Sequence, residues 1–320
     1  MPHMTRSSTL VEPLPTLRSR LVGVWNGDVL WSFRNSPVAV GAFAVLFICL
    51  VAAFFAPVFA PHNPFDLSTL NLSDALSPPR WMADGRAGFL LGTDDQGRDL
   101  LSAIMYGARV SLIVGLASVA LAMVLGVTLG LIAGYAGGRL DAFIMRVADV
   151  QLSFPAILIA LLIDGVARAV LPRDAHADAV LPVLILAIGL SNWVQYARTV
   201  RGSTMVEKGK EYVQAARVIG RTPLAIMATH LLPNVLGPVL VIATINIASA
   251  ILTEAALSFL GVGMPVTEPS LGTLIRIGND FLFSGEWWIT IFPGAALVAM
   301  VLSINLLGDW LRDALNPKLR

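Results

Sequence analysis

Charge is what this sequence has least of. Asp, Glu, Lys and Arg together make up 13% of its 320 residues, about half the share carried by a soluble domain. A water-facing surface of ordinary size cannot be covered with so few, which excludes a soluble globular chain and leaves an integral membrane protein. The single cysteine, Cys49, lies in an apolar run, so a disulfide framework and a cysteine-based metal centre are both excluded. Net charge is +1 and no dense basic block occurs, which removes any reason to expect nucleic acid. His3, His62, His176 and His230 are dispersed, without the i, i+4 spacing of a zinc site. No serine stands in G-x-S-x-G, so a hydrolase reading has no support. Lys208-Gly209-Lys210-Glu211 comes nearest to a phosphate-cradling loop, but it lacks the upstream glycine and the following hydroxyl. The chain is therefore expected to bind no nucleotide and no metal. Asp94, Asp95 and Asp99 around Gly97 do not have the ligand spacing of a calcium loop, and Arg98 intrudes among them.

What is abundant is uninterrupted apolar sequence. Charge-free windows occupy 38–60, 110–134, 179–197, 231–253 and 287–308, each near the roughly 20 residues an α-helix needs to cross hydrocarbon. A sixth crossing is expected over Val147 to Val170, with Asp149 and Asp164 near its two interfaces and Arg168 placed i, i+4 to pair with Asp164. The expected fold is thus an all-α integral membrane protein of six transmembrane helices. It divides into a tail (1–35), a first helix (36–60), a loop and pre-helix (61–109), a five-helix core (110–308) containing an insert at 198–230, and a second tail (309–320). Fifteen Lys and Arg fall on the side of the two termini and seven on the other, which puts both termini in the cytoplasm by the positive-inside rule. The first helix follows a long polar stretch and exceeds the length of a signal-peptide core, so it reads as an uncleaved anchor. Residues 61–91 then form an extracytoplasmic loop. Asp94 or Asp95 is expected to cap a helix starting near Gln96, with Arg98 and Asp99 at the surface. Gly126, Gly130 and Gly134 form a small ridge for a close neighbour, either internal or on a companion subunit.

The segment "EYVQAARVIGRTPLAIMATHLLPN", residues 211–234, is the exception in this apolar chain. With its upstream flank it carries Arg198, Arg201, Glu207, Lys208, Lys210, Glu211, Arg217 and Arg221. Tyr212, Ala215, Ala216 and Ile219 recur at i, i+3, i+4 and i+7, one narrow helical face. Gly220 suits a left-handed stop, and Thr222-Pro223 an N-cap and first position of a second short helix that runs toward Leu232-Pro233. The small face lacks the bulky Leu, Phe and Trp of a lipid-lying helix, which favours a protein partner on the cytoplasmic side.

Ala215-Ala216, three residues, Gly220, nine residues, then His230-Leu231-Leu232-Pro233 resembles the "EAA" loop of ABC-importer permeases. Gln214 and His230 replace that motif's Glu and Ile, as in its peptide-permease branch. "LGTDDQGRDLLSAIMYGARVSLIVG" (91–115), "ILTEAALSFLGVG" (251–263), Trp287-Trp288 with Pro293, and "NLLGDWLRDALNPKLR" (305–320) are similar, in the same order, to the C-type permease subunit of dipeptide and oligopeptide importers, a family whose relatives also carry nickel, glutathione, opines and sugars. The resemblance implies a type I importer permease in the bacterial inner membrane, itself not an enzyme. It implies a related B-type permease as heterodimer partner, two cytoplasmic ATPases that hold ATP and magnesium, and an extracytoplasmic binding protein. It implies that the insert is a helix seated in the ATPase, formed by Glu211, Tyr212, Gln214, Ala215, Ala216, Arg217 and Gly220. It also sets the 94–99 element on the face that meets the binding protein or the companion.

Polar residues inside spans are candidate pathway groups, because lipid does not tolerate them unpaired. Glu254, near the outer end of the fifth span, leads these, with Asn246 two turns below it and Asn192, Gln195 and Asn305 elsewhere. For Glu254 the reading stays open between a cavity-facing group and one hydrogen-bonded between helices. The competing class, an ion-coupled secondary transporter, requires an internal repeat with paired broken helices; none is evident.

Overall fold

Each charge-free window is mostly helical, the first being interrupted at Phe55, and most of the helices overrun their windows. The computed structural model describes residues 28–66, 70–172 and 176–314; Arg6, Arg18, Arg20, Arg173, Lys318 and Arg320, which enter the charge count, lie outside the described residues, as does His3. In chain order the helices are α1 (Asp28–Arg34), α2 (Pro37–Phe54), α3 (Ala56–Phe59), α4 (Leu100–Ala136), α5 (Gly138–Leu152), α6 (Ala156–Val170), α7 (His176–Glu207), α8 (Glu211–Val218), α9 (Pro223–Ile226), α10 (Leu232–Phe259), α11 (Leu271–Phe281) and α12 (Trp288–Ala314). Hydropathy marks the part of a helix that meets hydrocarbon; the hydrogen-bonded backbone continues beyond it into polar sequence. Hence α4 begins ten residues before its window and α7 ends ten residues after.

Five helical runs are long and apolar enough to cross a membrane: α2, α4, most of α7, the stretch Pro223–Phe259, and α12. The sixth differs from the sequence expectation of one helix over Val147–Val170. It is a broken pair, α5 and α6, bent by 94°. Pro155 has no N–H and disfavours helical backbone at Phe154 before it, so α5 stops at Leu152 and a new helix starts at Ala156. At 1.5 Å per residue α6 alone is about 22 Å long, short of the ~30 Å hydrocarbon core. α5 is instead strapped to α7. Arg201 makes two bonds to Asp141 at 2.5 and 2.6 Å, Arg198 reaches Asp149 at 2.5 Å, and the Trp193 indole donates to Gln151 at 2.7 Å.

The glycine ridge has an internal neighbour. A Cβ added at Gly126, Gly130 or Gly134 would stand 2.5, 2.6 and 2.9 Å from the carbonyl oxygens of Trp193, Ala197 and Arg201, so α4 and α7 touch backbone to backbone. Around this seam lies the main core, with Ala122, Ile188, Tyr196 and Val200 buried in it and Val235 and Val239 closing it from α10.

A second correction concerns the element before α4. The helix starts at Leu100, not near Gln96, and its cap is Asp99, whose carboxylate accepts from the Ser102 amide at 2.9 Å. Arg98 and Asp99 are buried, not at the surface. Asp94 takes the Arg98 Nε–H at 2.6 Å together with the amides of Gln96 and Arg98 at 2.9 Å each. Arg98 then donates to the Val266 carbonyl at 2.6 Å, tying this element to the loop after α10. The tight Asp-Asp-Gln-Gly turn consumes the first carboxylate locally, so the cap falls to the third.

The second short helix of the insert also does not stop before the fifth crossing. Thr222 caps α9 as expected, but α9 passes through one wide π-turn, Met227–Leu231, directly into α10. Pro233 lacks the N–H that an α-turn would send to Thr229, and its ring would press on that carbonyl; the wider turn, closed by the Leu232 amide on Met227, relieves both.

Because Gly130 faces backbone, Gly130→Val is expected to lower the thermal midpoint of the solubilised protein, an overpacking cost of about 1–3 kcal/mol. Gly202→Ala, on an open face of α7 with nothing within 4 Å, is expected to leave it unchanged. Differential scanning fluorimetry on the two variants checks this.

Candidate functional site

The charged insert folds as α8 and α9 around a tight turn. Glu211 in the first turn and Arg217 in the last complement the helix dipole. The end is a Schellman closure: Gly220 has φ +84°, and the Arg221 amide reaches the Ala216 carbonyl at 3.0 Å.

Of the Tyr212, Ala215, Ala216 and Ile219 stripe, only Ala216 is buried within the chain. Val213 and Ala216 point inward, into the cluster that includes Ile226, Leu231 and Val235. Ala215 faces out, Tyr212 is 37% exposed, and Ile219 is 79% exposed. Gly220 ends the helix so early that the i+7 position lies beyond its last turn, and the inward pair is the i, i+3 couple Val213 and Ala216. Val218 (87%) and Leu224 (74%) join Ile219 in an exposed apolar knob around the α8–α9 turn. Sequence reasoning missed these two; the signal was that an exposed polar insert kept Val, Ile and Leu beside its Gly stop.

Three span ends hold α8 in place. At the end of α7, Glu207 accepts from the Tyr212 hydroxyl at 2.5 Å and from Lys210 at 2.6 Å, while Gln214 donates to the Lys208 carbonyl at 3.0 Å. At the end of α4, Lys208 donates to the Gly134 carbonyl at 2.6 Å, and the Arg217 guanidinium lies 5.1 Å over the Tyr135 ring, a cation–π contact. At the start of α10, Asn234 donates to the Tyr212 hydroxyl at 3.2 Å, and the His230 ring stacks on Tyr212 at 6.3 Å. Tyr212 is therefore the node between α7, α8 and α10. The hydrogen bond that the Tyr212 hydroxyl donates to the Glu207 carboxylate holds its proton in place, and with partial desolvation and the negative charge of Glu207 the hydroxyl is pushed up to about 12.

Glu254, Asn192 and Asn246, as candidate pathway residues, do not share a site. Glu254 is fully buried, and its two oxygens take the hydroxyls of Ser111 on α4 and Ser258 on α10, each at 2.7 Å. Asn192 donates back to the Ile188 carbonyl at 2.9 Å on its own helix. Asn246 is buried on α10, and its amide nitrogen has no partner among the described residues. No hydrogen bond among the described residues joins the three.

Residues 126–320 match the family described as binding-protein-dependent transport system inner membrane component, and residues 24–79 match the N-terminal TM domain of oligopeptide transport permease C. The chain is 38% identical to a di/tripeptide transport system permease protein of Pseudomonas aeruginosa, over 90% of this chain and 91% of that one. It is 34% identical to an oligopeptide transport system permease protein of Bacillus subtilis, over 95% and 93%, and 39% identical to a dipeptide transport system permease protein of Escherichia coli, over the full length of both. In fold it is similar to a chain of the MetNI methionine ABC transporter in an inward-facing conformation, with a TM-score of 0.52 at 21% identity, covering 67% of this chain and 96% of that one.

Below the ordinary tyrosine value near 10 the Tyr212–Glu207 bond is intact. Because the folded value lies above the unfolded one, its contribution to stability is complete below about pH 10 and is lost as pH rises through about 12. Glu207→Gln is expected to bring Tyr212 back toward its ordinary value, visible as an earlier step in a tyrosinate absorbance titration; Tyr212→Phe is expected to remove that step.

Proposed function

This chain belongs to the family of binding-protein-dependent transport system inner membrane components, and from that premise we propose a specific working arrangement. The coarse role follows from membership: it is a multi-pass inner-membrane permease subunit of a bacterial ABC importer, and the ion-coupled alternative has no support from its relatives. The proposed cargo is peptide or a similar small solute, the class named for the relatives it matches along most of its length. The proposed assembly is a heterodimer with a B-type permease, two cytoplasmic ATPases that bind ATP and magnesium, and an extracytoplasmic binding protein, with both termini of this chain in the cytoplasm.

In this reading Glu211, Tyr212, Gln214, Ala215, Ala216, Arg217 and Gly220 form the element that grips the ATPase, and the observation that carries it is the knob of Val218, Ile219 and Leu224. An apolar patch at the tip of a charged segment is unfavourable in water unless a partner covers it. The helix behind it is tied to three crossings, so movement of the partner reaches α4, α7 and α10 together. The Gly220 stop sets where the patch begins. Glu254, Asn246 and Asn192 remain candidates for the pathway, Glu254 acting through the helices it joins.

Affinity purification of the tagged chain in mild detergent, followed by mass spectrometry, tests the arrangement. The unaltered chain is expected to bring a different permease and ATPase subunits. Ile219→Asp, a change on a side chain already in water, is expected to keep the permease and lose the ATPases. A homodimer without ATPases overturns the proposal.

A further inference from the structure

The helix before the break carries an outward face that no described residue covers. α5 reads GRLDAFIMRVADVQL. At about 100° per residue, Leu140, Phe143, Val147 and Val150 fall within about 80° of its circumference, and all four are exposed, Phe143 to 67%. Arg139 and Arg146, one line of residues seven apart, run along one edge of that stripe. Both are exposed, and neither guanidinium has an ion pair or hydrogen bond among the described residues. Beyond the other edge, Ile144 and Ala148 are buried with Val194 and Ala197. The two acids of α5 are already paired, Asp141 with Arg201 and Asp149 with Arg198. What α5 offers outward is therefore apolar and basic.

The bend decides where that face looks. α6 packs along the crossing helix α7, its Ala156 carbonyl accepting from the Ser191 hydroxyl at 3.3 Å and its Ala160 buried with Leu184 and Ile188. α5 stands at 94° to α6, so it runs along the membrane surface and not through it. Arg201 and Arg198 hold it at the end of α7 that leads to α8. A helix in that plane, with Leu, Phe and Val on one side and arginines at the border, has the pattern of one lying in a bilayer interface with its apolar side sunk about 5–10 Å. A protein surface could cover the apolar stripe alone. Two unpaired arginines along its border call in addition for negative charge spread over the length of the helix, which anionic headgroups present.

We infer that α5 is a lipid-binding element. It lies in the headgroup layer of the leaflet on the α8 side, with its apolar stripe against acyl chains and Arg139 and Arg146 on the phosphates of anionic lipid. Through the Asp141–Arg201 and Asp149–Arg198 pairs, the bilayer then steadies the end of α7 from which α8 hangs.

The test uses the full chain, with the subunits that purify with it, reconstituted in liposomes. Cys49, the single cysteine, is replaced by alanine, and Phe143→Cys or Ala142→Cys then carries one fluorophore; both positions are exposed. At 143 the fluorophore is expected to be quenched by nitroxide on lipid and sheltered from aqueous iodide. At 142, on the far side of the arginines, the reverse is expected. Nitroxide-labelled phosphatidylglycerol is expected to quench at 143 at a lower membrane fraction than labelled phosphatidylcholine. Arg139→Gln and Arg146→Gln are expected to erode that preference by about fivefold for each arginine removed, while iodide still fails to reach 143. Iodide quenching at 143 would put the stripe in water, and shelter from both quenchers would put it under a companion protein; either overturns the inference. Equal quenching by the two lipids before the arginines are changed overturns it as well.

Discussion

The arrangement depends on how near α4 and α7 come to each other. Lipid tails are as apolar as leucine, so two crossings gain nothing by hiding from water and must be held by close packing. Gly126, Gly130 and Gly134 allow this: each stands opposite a carbonyl of Trp193, Ala197 or Arg201, one i, i+4 row set against another. The seam has effects beyond its own contacts. It brings the Gly134 carbonyl within reach of Lys208 and sets Tyr135 under Arg217, so the position of α8 below the membrane is decided by packing within it. Ala216 then needs only a small side chain to complete the inner face.

The few charges are placed under the same rule. Among the described residues, Asp94 faces Arg98, Asp141 faces Arg201, and Asp164 faces Arg168. Each of these pairs also binds elements together: Arg98 reaches the loop after α10, Arg201 joins α7 to α5, and Arg168 joins α6 to the same loop. A charge that enters an apolar chain is costly unless paired and hydrogen-bonded. These pairs therefore mark where the fold requires a directional link that apolar packing cannot supply. The loop from Gly261 to Val266 receives two of them, and Met264 within it is further held by Ser258 and Thr273.

Much of this was legible in the sequence for a plain reason. Apolar run length reports crossing, and each of the five windows overlaps a helical crossing. The Gly220 stop and the Thr222 cap were legible because each depends on one residue's own conformational preference. Three features were not. The break between α5 and α6 was hidden because Phe154-Pro155 lies in an apolar run, where composition says membrane whatever the backbone does. The burial of Arg98 was hidden because its partner carboxylate and the Val266 carbonyl, 168 residues away, come together only in the folded chain. The inward face of α8 was not read because the stripe drew attention to the side offered to a partner, and a helix of eight residues carries too few turns for a second face to stand out. Family resemblance located the motif, but the side it presents to solvent came from the fold.

The wide turn at Met227–Leu231 has a consequence for everything downstream of it. One residue more per turn shifts the angular phase of a helix by about 100°, so α9 and α10 share an axis without sharing a stripe. A wheel drawn continuously from Pro223 to Phe259 would superimpose two patterns out of step and blur both. Val235 and Val239 face the core because the count was reset at Pro233; with an unbroken α-helical count from Pro223 they would point elsewhere, and the residues now turned to the bilayer would take their places.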